Sequence, residues 1–479
     1  MSTAFTIAAQ EWRYWSRTKL AAAVALLALI LTGISVFATS NQISKERSTR
    51  EALQVKAQET FRDQPARHPH RMVHYGHYVF RAPTALAALD PGVDPFTGTV
   101  MFLEGHRQNT ATFSPNYDGA QAGPFSRLSP ALVYQLLAPL VLIVIGFGVV
   151  SREREATTDR QLVTSGISPI SIWLGKTLAL MSVALLLLLP MAMGVAAFGK
   201  SWNIGGGFFS LYLLYLLVWV LIITASSTWS NRSSVSLLLL LSVWLVLCVL
   251  LPRVIVSGAN TAIANSSQIE TDMDVLVALR ELGDGHNAND PAFNRLKANL
   301  LNKYSVEKVE DLPINFRGAV AQAAEADLSE VLNEYAEKRM AKQLAQTQFV
   351  RSFEFISPFI TVQSASMIAA GTDGKTHHRF LREAETVRFE FVQGLNKAHV
   401  HKLAYDDDIN RSRDEKASLR ARVSAENWRV LSDFSFNADP ADIRLGRVSG
   451  SIAILSLWAL IFVALGVLGA RRLPEVDRA

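Results

Sequence analysis

Six stretches of the chain contain no Asp, Glu, Lys or Arg: Leu20 to Ala38, Ser129 to Val150, Thr177 to Phe198, Gly207 to Trp229, Val235 to Pro252 and Val448 to Gly469. Each is close to the roughly 20 residues a helix needs to cross about 30 Å of hydrocarbon. One Arg or Asp at the centre of such a helix costs about 2.5–3.5 kcal/mol on the insertion scale, so six charge-free runs point to an apolar solvent. The apolar share of 49% is carried by these runs rather than spread along the chain. The expected fold is an all-α polytopic membrane protein with six transmembrane helices.

Short loops orient such a chain, because long ones translocate largely regardless of charge. Arg13, Arg17 and Lys19 precede the first run, Arg152, Arg154 and Arg160 follow the second, Arg232 separates the fourth from the fifth, and Arg471 and Arg472 follow the sixth. With six alternating spans, all of these fall on one side, which is expected to be the cytoplasm and to hold both termini. The divisions are then an interfacial helix (1–19), the first span (20–38), an outer loop (39–128), the second span (129–150), a cytoplasmic coupling loop (151–176), spans three to five (177–252), a large outer domain (253–447), the sixth span (448–469) and a cytoplasmic tail (470–479).

Val36 and Ala38 stand at the −3 and −1 positions of a signal-peptidase pattern, but the run before them is longer than the roughly 7–15 residues of a signal core and reads as an uncleaved anchor. The single cysteine, Cys248, lies in the fifth run, so the outer segments must fold without an intrachain disulfide. The net charge of +5 is read as orienting charge and membrane-lipid attraction, not as a nucleic-acid footprint.

"GVAAFGKS", Gly194 to Ser201, fits the phosphate-binding pattern G-x-x-x-x-G-K-[ST]. A working P-loop follows a buried strand and opens a helix. Here Gly194 to Phe198 end an apolar helix, and Gly199, Lys200 and Ser201 emerge on the side away from cytosolic ATP, so the match is read as accidental. Gly205, Gly206 and Gly207 are expected to make a flexible turn. With no His-Glu-x-x-His, nucleophile elbow or paired-cysteine site either, the chain is expected to be no enzyme and to hold no cofactor.

Before the first run, Phe5, Ala8, Trp12 and Trp15 fall on one helical face and Gln10, Arg13 and Arg17 on another, the pattern of an amphipathic helix lying along the inner leaflet. Between the second and third runs, "SREREATTDRQLVTSGISPISIWLGK" begins as a charged helix. Gly166 can end it in the left-handed conformation, and Ser168 with Pro169 supplies a cap and a first-turn proline for the next helix. Leu162, Val163 and Ile167 put apolar side chains at the break, a protruding knuckle suited to a groove on a soluble partner.

Glu153-Arg154-Glu155, Thr158, Leu162, Ser168-Pro169-Ile170 and Gly175-Lys176 resemble the E-R-E-x-G-T-L…P-I-S…G-K loop of type-2 ABC exporter permeases, with Thr157 where that pattern usually has Gly and Asp159 where it has Leu. The amphipathic helix, six spans and knuckle match the family's organisation. The segments "HYGHYVFRAPTALAALDPGVDPFTGT", "LEGHRQN" and "SPFITVQSASMIAAGTDGKTHHRF" are similar to a branch with two large outer loops. The resemblance implies dimerisation with a second copy or a sister permease, and force delivered by a separate ATP-binding subunit that carries ATP and Mg. Glu153, Glu155, Arg154 and Arg160 would make the knuckle's polar contacts, Leu162 and Ile167 its apolar plug beside Pro169, and Lys176 would mark the inner end of the third span.

The outer segments are expected to form one mainly helical domain, open to an extracytoplasmic partner. Leu328, Val331, Leu332 and Tyr335, then Phe349, Phe353 and Ile356, form stripes read as packed core. His68, His70, His74 and His77, with His106 further on, are ligand types for a transition metal, but Pro69 and Gly76 interrupt any regular face and no thiolate is near. Polar surface or hydrogen bonding between loops is the plainer reading, and no metal is assigned. Asp406, Asp408 and Asn410 begin like an EF-hand, but Arg411 replaces its glycine and Ala417 its glutamate. His377, His378, His399 and His401 are expected on exposed helix faces. Tyr134, Gln135, Ser226 and Ser227 are the polar residues of the spans, fit either to line a path for an amphiphile or to bond between helices.

The reading is thus the permease subunit of an ABC exporter in a bacterial inner membrane. Mechanotransmission, or ligand sensing by the outer domain without transport, is the alternative.

Overall fold

Helices run past the ends of the charge-free segments, since helical hydrogen bonding continues wherever side chains tolerate it. The computed structural model describes residues 3–112, 129–198, 202–432 and 434–473. Helix α1 (Thr3–Thr18) ends at Lys19, whose φ of 54° turns the chain into α2 (Leu20–Arg62), one helix of 43 residues. The polar stem from Asn41 onward therefore continues the first apolar run without a break. A short helix α3 (Pro69–Tyr75) leads into an antiparallel pair, β1 (His77–Phe80) and β2 (Val100–Leu103), with His77 opposite Leu103.

The second apolar run enters through a π turn (Val133–Leu137) and continues as α4 (Ala138–Gly146). It is followed by α5 (Ser151–Glu155), α6 (Thr158–Thr164), α7 (Pro169–Phe198) and α8 (Trp202–Trp229). Next come α9 (Ser233–Leu245), a second π turn (Val246–Leu250) and α10 (Leu251–Ala262). After α11 (Phe316–Arg351), α12 (Pro358–Ala370), α13 (Gly374–Lys402) and α14 (Tyr405–Asn410), the chain closes with α15 (Ala441–Ala470). Six of these helical runs are long and apolar enough to cross a membrane.

Helix α8 is the axis of the bundle: Phe208, Tyr212, Tyr215 and Trp219 are fully buried, and it packs against α7, α12 and α15. The expected turn at Gly205 to Gly207 is instead part of α8. A Cβ on Gly207 would lie 2.4 Å from Leu445 Cδ2, so glycine there serves close packing against α15.

A π turn leaves some carbonyls without their usual helical donor. In the first, Tyr215 donates to the Gln135 carbonyl at 2.6 Å and Trp244 to that of Leu136 at 3.0 Å; in the second, Ser357 donates to Leu247 at 2.8 Å. Tyr134 donates to the Leu187 carbonyl at 2.7 Å, Gln135 to the Tyr212 hydroxyl at 2.8 Å, and the Ser227 hydroxyl accepts from the Val150 and Ser151 amides at 3.1 Å each. These bonds tie helix to helix.

Helix α12 is buried along most of its length, and its residues Ile360, Val362 and Ala365 belong to the bundle's core. Beyond it, the polar part of α2 and the chain up to 112 fold together with most of the described residues from α11 to α14 and on to 440, α12 apart, into a helical head. Phe61, Met72, Val79 and Leu103 from the first segment share one core with Phe380, Phe391, Leu395 and Trp428 from the second. Of the expected stripes, Leu332 is buried and Phe349 and Phe353 pack on the bundle core, but Ile356 is 39% exposed. Helix α11 ends at Arg351, so the helical phase that would have buried Ile356 is lost.

Candidate functional site

The knuckle is built from two consecutive breaks. At the first, Thr157 adopts a left-handed φ of 56°, the conformation that glycine takes most easily, at the position where the resembling pattern has Gly. At the second, Gly166 has φ +83°; the Ile167 amide donates to the Leu162 carbonyl at 3.2 Å and the Gly166 amide to that of Val163 at 2.9 Å. That bond pair is a Schellman stop, a motif in which the closing residues are commonly apolar. The Ser168 hydroxyl then accepts from the Ser171 amide at 3.2 Å, and Pro169 opens α7. The expected single charged helix over the first part of the loop is thus two short ones.

Four buried or half-buried charges lock the base of this knuckle to α1 and α7. The Lys176 ammonium donates to Glu11 and to Glu153 at 2.6 Å each, and Arg152 donates to Glu11 at 2.7 Å while lying 3.6 Å from the centre of the Tyr14 ring. Glu11 is only 1% exposed. The face of α1 packed against the rest of the chain is accordingly Ala4, Ile7, Glu11 and Trp15, beside the aromatic face, on which Phe5 and Trp12 stay exposed. That face is set by the fit of Ala4 and Ile7 over Gly175, where any Cβ would lie 2.7 Å from the Ala4 carbonyl oxygen.

Glu153 therefore spends its charge inside the chain. Lys176 lies two turns into α7, immediately before the apolar run that begins at Thr177. Glu155 is exposed and accepts from the Ser233 amide at 2.9 Å and its hydroxyl at 2.7 Å, capping α9. Arg154 reaches Asn231 at 3.4 Å, Arg160 is exposed, and Leu162, Ile167 and Pro169 are half-buried.

Gly194 to Phe198 are the last residues of α7, with their amides in helical bonds; Gly199, Lys200 and Ser201 lie outside the described residues.

The histidines sort into separate environments. His77, on β1, is a core residue with its ring 4.9 Å from that of Phe61, and burial pushes its pKa down to about 4. His68 and His399 both reach the buried carboxylate of Asp408, through Nε2 at 3.0 and 2.8 Å, and Asn315 and Arg411 donate to the same carboxylate. Burial holds His68 below its ordinary pKa, against the Asp408 hydrogen bond. Although burial alone would raise it, the hydrogen bonds from His399 and His68 hold the Asp408 carboxyl well below the usual carboxylate range. The EF-hand-like stretch is therefore the helix α14, with its central aspartate turned inward.

His378 and His399 are buried, contrary to the exposed faces expected for them; His378 Nε2 pairs with Gln343 at 2.7 Å. His70, His74 and His106 come together with His286, a residue some 180 positions further on that no local pattern singled out. A cavity of about 140 Å³, lined by His68, His70, His286, His399, Arg317 and Arg411, lies between this group and the Asp408 group.

The fold thus defines a mainly helical class of chain with, among the described residues, six helices apolar enough to cross a membrane, a knuckle at one end and a helical head at the other. Residues 267–437, which include His286, His399 and Asp408, match a family model described as a domain of unknown function, DUF3526. No curated relative matches the chain.

Proposed function

We propose that this protein is the membrane-spanning permease subunit of an ABC transporter, driven by a separate ATP-binding subunit docked on the knuckle. The observation that carries the reading is the ion-paired base of that knuckle. Breaking a buried ion pair by removing one partner costs about 3–5 kcal/mol, so Glu11, Lys176, Glu153 and Arg152 make α5, α1 and α7 resist separation. A load on the exposed tip is then passed to α7 rather than absorbed by the loop. Helix α7 leads away from it: Gly175 abuts Ala4 of α1, and Gly194, about 29 Å further along, abuts Leu89 of the head segment.

The exposed apolar faces suit lipid and a second permease copy. Only 17% of the most apolar window of the fifth run and 22% of those of the first and sixth are buried within the chain, against 72% for the fourth. Phe5 and Trp12 of α1 would lie in the inner leaflet, in an inner membrane with both termini cytoplasmic. The mechanotransmission and ligand-sensing alternatives draw on the head, where a cavity of about 450 Å³ between α11 and α13 is lined by Leu332, Tyr335, Met340, Arg382 and Phe389.

The test is partner binding at equal membrane abundance. Arg160→Glu changes an exposed charge, and Ile167→Asp places a carboxylate beside the apolar closing residues; desolvating it against an apolar groove costs a few kcal/mol, a loss of about a hundredfold or more in docking. The wild-type chain is expected to copurify with a nucleotide-hydrolysing subunit. Ile167→Asp is expected to abolish this and Arg160→Glu to slow association. Full ATPase coupling in both variants would remove the knuckle as the docking element and the permease reading with it.

A further inference from the structure

Four imidazoles meet in the head from three stretches of chain that are far apart in sequence. His70 and His74 are one turn apart on α3, a helix fixed at its start by Pro69 and by the His68 ring, whose Nδ1 accepts from the His70 amide at 3.2 Å. His106 follows β2 and holds a left-handed φ of 62°, a conformation that costs a β-carbon residue energy and persists where surroundings impose it. His286 comes from the other head segment. One ring nitrogen from each of the four lies within 4.8 Å of the other three.

Two of the rings are oriented from behind by carboxylates. His106 Nδ1 pairs with Glu325 at 3.0 Å, which leaves Nε2 directed elsewhere; that atom is buried and has no hydrogen-bond partner. Glu325 is itself fully buried and held by Arg388 at 2.6 Å, so the His106 ring has little freedom to turn. His286 Nδ1 pairs with Asp284 at 3.2 Å. A carboxylate on one ring nitrogen fixes the tautomer and raises the basicity of the other, which is how metal-ligating histidines are commonly supported. Burial, with smaller contributions from the neighbouring rings, pushes the His70 pKa down to about 3 and lowers that of His74, so both are neutral near pH 7 with lone pairs available.

We propose that His70, His74, His106 and His286 bind one divalent transition-metal ion of the imidazole-preferring kind, zinc, copper or nickel, and so clamp the two head segments together. Four imidazole nitrogens with no carboxylate among them disfavour magnesium and calcium, which take oxygen. A tetrahedron with metal–nitrogen bonds of about 2.0–2.1 Å has nitrogens about 3.3 Å apart, a modest contraction from the spacing present. The Asp408 group makes an instructive contrast. Its carboxylate is already taken up by His68, His399, Asn315 and Arg411, and a cation there would face two guanidiniums, those of Arg411 and Arg317.

The experiment uses the full-length chain in detergent, stripped with a chelator and titrated with zinc, copper or nickel ions against a chromophoric competitor. One equivalent per chain is expected, and the cobalt-loaded protein should show the visible absorption of a four-coordinate site. His106→Gln should lower affinity at least a hundredfold, and Asp284→Asn, which removes only the group behind His286, by roughly ten- to a hundredfold. His401→Gln, an exposed histidine outside the group, should leave binding unchanged. Should the His106 variant fail to fold, the exposed Asp284 and His74 positions still decide the matter. Absence of stoichiometric binding by all three ions, or binding that survives both Asp284→Asn and His74→Gln, would overturn the proposal.

Discussion

His68 and His70 are two residues apart, yet they belong to opposite kinds of chemistry. His68 donates to a carboxylate that several other groups also serve, so nothing in its surroundings is left over. His70 faces three further imidazoles. Partner type, rather than residue type or burial, separates a cluster that holds a fold together from one fit to take a ligand. The single residue between them, Pro69, starts α3, and the His68 ring caps that helix while the His70 ring joins the imidazole group.

The largest effect that would sharpen this contrast is on folding. Asp408→Ala leaves His68, His399 and Arg411 facing one another without their anion and is expected to cost about 3–5 kcal/mol, read as a lower unfolding temperature in metal-free detergent. His74→Ala, at an exposed position, should cost no more than about 0.5 kcal/mol under the same conditions. Equal losses would dissolve the distinction.

Acid provides the next test. The His70 pKa falls from 6.5 to about 3 on folding, so the unfolded chain binds more protons between those values. Its contribution to stability is therefore complete above pH 6.5 and is lost as pH falls toward 3. His70→Gln should flatten the decline in unfolding temperature over that window; a slope unchanged by the substitution would mean that the ring is solvated.

The smallest effect expected is that of Asp284→Asn on the metal-free chain. The pair with His286 is exposed on both sides and should be worth no more than about 0.5 kcal/mol to folding. A large loss would make Asp284 a structural residue rather than a support for a ligand.

Local patterns announced much of the bundle. Absence of charge located six apolar helices, and Gly166 with Ser168 and Pro169 marked the end of one knuckle helix and the start of the next, because stops, caps and spans are written in neighbouring residues. What escaped was pairing over distance. Glu11 carried no reading of its own, because the Lys176 and Arg152 that pair with it are 165 and 141 residues away, and those pairs select the face of α1 that packs on the chain. His286 sits in the unremarkable stretch "DGHNAND", and His399 looked like a helix-surface residue because Asp408 lies beyond a turn. A periodicity reports how a helix is sided, but not which charge on another element will meet it.

The unbroken length of α2 has a mechanical meaning. Residues 41–62 stand about 33 Å clear of the apolar half, and a rotation of about 5° at that end sweeps the far tip through about 3 Å, against the roughly ±0.2 Å that a metal–ligand bond tolerates. Arg50 and Gln54 bond this rod to Arg81 and Phe80 at 3.2 and 3.1 Å, and Phe61 packs 6.0 Å from Tyr75, the last residue of α3. The rod is a lever with a long outer arm, and angles too small to disturb packing among the apolar helices are, at the level of the histidines, displacements comparable to a bond length.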